Sequence, residues 1–203
     1  MLLLNSSRFG GAPPATPATW NPADKAAGIT LSGGDLIATG GTNIQLARAT
    51  RSLPTGKAYW EVTVFTNSTG ASVISGAGIV DGAVATSVQI GGAGANLGMY
   101  ANTQTLYYNN AVVLDFANIA SNTHIYQFAH DSATGEVWVG RVGTGWFNSG
   151  DPAAGTGEVY TLGAGTWYPG CTPNGASRTC TANFGASAFS GSVPSGFTAY
   201  DSL

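Results

Sequence analysis

Three groups of residues in this chain have the chemistry for a reaction centre: two histidines, ten carboxylates and two cysteines. His124 and His130 lie six residues apart. On a strand that spacing puts both on one face but roughly 20 Å apart, at about 3.3 Å per residue, too far for one metal ion. Glu61, Asp131 and Glu136 invite a glycosidase reading, which requires two carboxyl groups converging at about 5–10 Å. No short motif places two of them on one strand face, and Asp131 reads better as a turn residue bonding its own backbone. Gly76-Ala77-Gly78 and Gly92-Ala93-Gly94 each begin like a phosphate-binding loop. Their third glycines (Gly82 and Gly98) come one position late and no helix signal follows. Tight turns and close strand contacts explain them. No G-x-S-x-G nucleophile elbow is present. The expectation is a non-enzyme with no catalytic residues, no cofactor and no metal.

Cys171 and Cys180 flank Pro173-Asn174-Gly175, a turn signal. Folded as a hairpin, the two thiols would face each other across the strands. Two readings stay open: a stapling disulfide formed in oxidising surroundings, or two reduced, half-buried thiols. Binding chemistry is easier to find. Trp146, Phe147, Asn148 and Asp151 sit in the longest loop, and Tyr107, Tyr108 and Asn109 form a second group. Rings and amides on loops suit stacking and hydrogen bonding to a receptor or sugar. The alternative is a loop that buries its own Trp146 and Phe147.

The elements that must position these residues read as strands. In Gly56–Phe65 the side chains of Trp60, Val62 and Val64 share one face and Tyr59, Glu61 and Thr63 the other, with the Trp60 face on the core. Short strands are expected within Trp20–Thr39, over Val73–Val80, and on both sides of an Asn102-Thr103 turn, with Asn109-Asn110 as a further turn. Ile125–Ala129 and Glu136–Val142 flank Asp131–Gly135 as a hairpin. Tyr160–Tyr168 and Arg178–Phe184 complete about ten to twelve strands, the pattern of a sandwich. Residues 1–19 are Gly-, Pro- and Ala-rich and read as an extended arm before a domain over residues 20–203.

Composition agrees. Charged residues are 8% of the chain and glycine 30 of 203, which suits short strands and tight turns better than helices. With a net charge of −3 and scattered basic residues, nucleic-acid binding is not expected. The apolar run Met1–Leu4 is too short for a signal peptide, and no run of about 18 apolar residues predicts a membrane span.

The order of motifs GKAYWEVTV, SGAGIVDG, NLGMY…LYYNN, AHDSATGEVWVG, TWYPG and TANFGASAF…PSGF resembles the SPRY (B30.2-like) domain from about Trp20 to Tyr200. The resemblance implies an all-β, bent antiparallel β-sandwich (a concanavalin-like jelly roll) with little helix. Asp131 and Gly135 fall where the family carries its hairpin Asp and Gly. Val142-Gly143 stands where it usually carries Asn-Gly. WNPADK and GTGWFNSGDPAAGTG resemble SPRY-type domains of tailed-phage structural proteins. That resemblance implies a non-enzymatic virion component, assembled in the host cytoplasm and released by lysis. It would decorate the particle or bind the host surface, with other virion proteins and a host glycan or protein as partners, in many copies or as a homo-oligomer. Two other classes remain: a secreted carbohydrate-binding module or sugar-cleaving sandwich enzyme, and an intracellular peptide-binding adaptor.

Overall fold

The computed structural model describes residues 16–43, 45–67, 74–116 and 121–203. Two antiparallel sheets face each other. The first runs in the order β1 (Trp20–Lys25), β4 (Ala47–Ala49), β14 (Trp167–Thr172), β6 (Gly76–Asp81), β7 (Asn96–Tyr100), β8 (Thr105–Tyr108), β9 (Ala111–Asp115). The second runs β12 (Gly145–Trp146), β11 (Glu136–Arg141), β10 (Thr123–Asp131), β5 (Lys57–Phe65), β15 (Thr179–Asn183), β3 (Ile37–Thr39), β2 (Thr30–Ser32). To this sheet β13 (Tyr160–Thr161) adds on β11, and β16 (Thr198–Ala199) pairs in parallel with β5. Of these sixteen strands, the six of three residues or fewer account for the excess over the sequence expectation. The described helix is two three-residue 3-10 turns, at Phe147–Ser149 and Tyr200–Ser202.

The second sheet is organised by the longest ladder. β5 and β10 pair over nine residues, from Thr123 opposite Phe65 to Asp131 opposite Lys57. Alternation then sends Trp60, Val62 and Val64 of β5, with Tyr126 and Phe128 of β10, into the space between the sheets. Trp60 and Phe128 are cross-strand partners and stack at 5.3 Å. Ile79, Leu97, Met99 and Leu106 close the layer from the first sheet. The Trp60 face is the core face, as its periodicity predicts.

Periodicity gives no hint that each sheet is covered on its outer face too. Leu46, Val80, Ile90 and Tyr100 form a second cluster on the first sheet. Tyr59, Ala129, Trp138 and Phe197 form a third on the second. Glu61, only 2% exposed, fastens this outer cover. Its carboxylate accepts hydrogen bonds from the Tyr59 hydroxyl (2.8 Å) and from the backbone amides of Ser190 (2.9 Å) and Gly191 (2.7 Å). Under the other cover, the chain at residues 90–91 passes so close to β7 that a Cβ on Gly98 would lie 2.4 Å from the Gly91 nitrogen. The G-x-G pattern is a packing requirement of the strands, not a phosphate cradle.

The strands bearing the cysteines do not form the expected hairpin. β14 belongs to the first sheet and β15 to the second, so the chain crosses between sheets around Pro173–Gly175. Cys171 and Cys180 meet through the core as free, buried thiols. Burial, then the hydrogen bond with Cys180, push the Cys171 thiol well above its usual range. Tyr160–Tyr168 likewise divides, into β13 and the start of β14. Residues 1–15 of the expected arm lie outside the described residues. Ala18, at its end, is buried in the core, and its amide donates to Asp201 Oδ1 at 2.7 Å.

Two outcomes follow from this packing. Gly98→Ala should destabilise the fold by about 1–3 kcal/mol, because backbone rather than a side chain blocks the added methyl. For a domain of this size that lowers Tm by roughly 3–10 °C in a thermal melt. Protein kept free of reductant should titrate no thiol when native and both when denatured; no thiol in the denatured chain would reveal a Cys171–Cys180 disulfide.

Candidate functional site

The aromatic residues singled out by sequence are divided between faces. Tyr107 and Tyr108 are adjacent on β8 and therefore point to opposite sides. Tyr107 packs on Tyr100 (4.5 Å) in the outer cluster, and Tyr108 stacks on Tyr160 (4.4 Å) toward the core. Trp146 meets Tyr59 edge-on at 6.2 Å outside the second sheet, while Phe147 is buried and stacks on Phe116 at 4.2 Å. The amide of Asn148 donates to the Glu158 carbonyl (3.0 Å), and Asp151 Oδ1 accepts from the Ala154 amide (3.2 Å). Asn109 adopts φ 50° in its turn and accepts from the Gly94 amide at 2.9 Å. The long loop thus folds over its own rings. Asn148, Asp151 and Asn109 are exposed, and Tyr107, Tyr108 and Trp146 are half-buried.

The carboxylates are also accounted for locally. Asp131 and Glu136 are cross-strand partners at the tip of the β10–β11 hairpin, a juxtaposition the sequence reading missed. Asp131 Oδ1 accepts from the Ala133 amide (2.9 Å), and Oδ2 pairs with Lys57 (3.2 Å). Burial raises the Asp131 pKa, but the Ala133 amide and the Lys57 ammonium outweigh it and hold the carboxyl below its usual range. A general acid requires the opposite shift. Glu136 Oε2 accepts from the Thr134 hydroxyl at 2.8 Å. Glu61 faces Gln127, four residues along β10 from Asp131, or roughly 13 Å at strand rise.

What the fold does assemble is a recess of about 450 Å3 at the Asp131 end of β10. Three segments build it: residues 52–55, the hairpin turn 132–135 and residues 162–167. They are stitched together. The Leu53 amide donates to the Trp167 carbonyl (2.7 Å), the Gly56 amide to Ser132 Oγ (2.7 Å), and the Leu162 amide to the Gly135 carbonyl (2.8 Å). Gly135 takes φ 77°, as the hairpin reading expects. Asp81 Oδ2 accepts from the Thr166 amide (2.9 Å) and holds the third segment from the first sheet.

The lining is hydroxyl-rich, with Ser52, Thr55, Thr134 and Thr166 beside Trp167, and His130 closes the inner wall. His130 is 5% exposed, and its Nδ1 has no hydrogen-bond partner among the described residues. Burial, only partly offset by Asp131, lowers its pKa to about 4. The imidazole is therefore neutral at physiological pH, and its unpartnered Nδ1 is shielded from solvent. A neutral, polar, hydroxyl-lined wall suits hydroxyl or amide groups of a ligand. His124 and His130 share the inner face of β10 at its two ends, as their spacing predicts. No group of three or more His, Cys, Asp or Glu side chains able to hold a metal occurs among the described residues. Sequence gave no signal for this recess, because its walls are brought together only by topology.

No protein-family model matches the sequence, and no curated protein matches it. Solved structures do match the fold. The SPRY domain of human HERC1 superposes with a TM-score of 0.65 at 12% identity, over 83% of this chain and 99% of that one. The PSpry domain of TRIM65 gives 0.60 at 14%, over 83% and 92%. A human SPRY domain gives 0.58 at 14%, over 79% and 98%.

The neutral His130 has a consequence for stability. Its pKa is 6.5 when unfolded and about 4 when folded, so the unfolded chain binds the extra proton first. Stability should fall as pH drops from 6.5 toward 4, by up to about 3 kcal/mol from this residue. His124, whose pKa burial also lowers, acts in the same direction. Denaturation at graded pH should show a shallower decline for His130→Gln than for the wild type. At identities of 12–14% the structural likenesses carry the fold and nothing finer: the chain is a two-sheet β-sandwich of the SPRY type.

Proposed function

We propose that this protein is a non-enzymatic binding module whose loop-built recess around His130 takes up part of a partner. Its setting would be a bacteriophage particle that it decorates, or through which it contacts the host surface. The observation that carries the binding reading is the recess itself. It offers a hydroxyl-lined polar wall closed by the neutral His130 ring, held open by three mutually bonded segments on the two-sheet body. Ligand sites commonly take this form, with a few polar groups fixed on a firm scaffold. The phage setting rests on the sequence resemblance in WNPADK and the GTGWFNSGDPAAGTG loop. In that setting the protein acts in many copies beside other virion proteins, and the recess meets a host glycan or surface protein.

A second reading, an intracellular adaptor that grips a peptide, is favoured by the two free thiols and by a fold that often serves protein interaction. One set of measurements separates the two. Antibodies raised against the isolated protein should label intact particles of the phage encoding it, and the fluorescent protein should adhere saturably to the host. Gly163→Tyr adds a bulky ring to the lining of the recess at a position where a Cβ meets nothing within 4 Å. It should weaken adherence roughly ten-fold while leaving the melt unchanged. Unlabelled particles with no adherence, together with peptide capture by the recess, would replace this proposal with the adaptor.

A further inference from the structure

The opposite end of β10 carries a different chemistry, which the proposed function does not use. Arg141 closes β11 there and is 7% exposed. Its Nε and Nη2 donate to Thr144 Oγ1 at 2.9 and 2.6 Å, and Nη1 donates to Gln104 Oε1 at 3.3 Å. Both acceptors are neutral. A guanidinium has five N–H donors, so these bonds leave two of them without an assigned acceptor.

The charge itself has no counterpart in the chain. All ten Asp and Glu residues are among the described residues. The ion pairs they form are Arg48–Asp24, Arg51–Asp201 and Lys57–Asp131, and none reaches Arg141. An uncompensated buried cation is costly, and Arg48, the other deeply buried arginine, avoids that cost with Asp24 at 2.7 Å.

Arg141 also lines a recess of about 360 Å3 together with Ser121, Thr123, His124 and Thr144. His124 is buried beside Gln104, with 3.5 Å between its Nε2 and the Gln104 amide nitrogen, and its ring lies 5.8 Å from that of Tyr126. Burial, then the Arg141 charge, lower the His124 pKa and keep the ring neutral. The recess therefore presents one positive charge, two open guanidinium donors and a rim of hydroxyls. That set balances a single negative charge spread over two oxygens. A doubly charged phosphate would be left half compensated.

We propose that this end of the sandwich is a second ligand site, in which Arg141 receives the carboxylate of a small monovalent acid and the hydroxyls of Ser121, Thr123 and Thr144 receive its polar groups. A uronic-type sugar acid and a simple carboxylate share this chemistry. The site is separate from the His130 recess and stands or falls independently of it.

The test is a titration of the wild-type protein followed by amide and arginine side-chain NMR, with glucuronate, glucose, acetate and inorganic phosphate in separate arms. Glucuronate should move the Arg141 Nε–H signal and the amides of residues 123–125 and 141–144 saturably, and glucose should not. Acetate reproducing these shifts at equal affinity assigns the ligand to simple carboxylates; glucuronate binding tighter than acetate assigns it to the sugar acids. Arg141→Gln should weaken the binding roughly ten-fold or more. If that variant does not fold, the wild-type shift map decides alone. Unmoved Arg141 signals at tens of millimolar acid, shifts centred on residues 130–135, or phosphate binding tighter than either carboxylate would overturn the assignment.

Discussion

The β5–β10 ladder sets the geometry of everything else. Nine paired residues put Trp60 against Phe128 between the sheets and fix the alternation of β10. Because that alternation is two residues, His124, Tyr126, Phe128 and His130 all enter the interior. The middle two are fully buried, Phe128 against Trp60 and Tyr126 with its hydroxyl accepting from the Gln104 amide at 2.9 Å. The outer two reach the ends of the layer, where loops replace strands. A one-residue slip would send both histidines outward and empty both recesses. The scaffold and the two polar ends are therefore consequences of one register.

With so few charges, each buried ion has a visible task. Glu61 draws two backbone amides of the C-terminal segment over the second sheet. Arg48 binds Asp24 and the carbonyls of Asp81 and Val84, tying β4 to the loop that covers the first sheet. Arg178 donates to the Thr66 and Asn174 carbonyls where the chain crosses between sheets. These contacts supply direction rather than much net energy, since a buried ion recovers in partners what it loses in hydration. Arg141 departs from the pattern in that it is deeply buried without a carboxylate partner and lines a recess.

Much of this architecture was legible in the sequence. Strict alternation in GKAYWEVTV identified the core face, and Asp131 with Gly135 identified the central hairpin. What stayed hidden depended on contacts between distant segments. Cys171 and Cys180 flank a strong local turn, yet Pro173–Gly175 carries the chain between sheets rather than around a hairpin. Alternation placed Tyr59 and Glu61 opposite the core face but gave no sign of their cover, because the segment that covers them comes some 130 residues later. The same holds for the recesses: Leu53, Gly135 and Leu162 share a wall without any common motif. Aromatic residues on loops looked like contact surface by type, and Phe147 instead became packing because Phe116 lies against it.

The central claim is a rigid β5–β10–β11 body carrying less constrained, loop-built ends, and native-state hydrogen exchange measures it most directly. The amides of Tyr59–Val64, Ile125–Ala129 and Val137–Val139 should exchange only through global unfolding, with one common free energy. Those of Ser52, Thr55 and residues 163–165 should exchange far faster through local opening. Exchange of the central ladder at loop rates, or in several independent steps, would contradict the account.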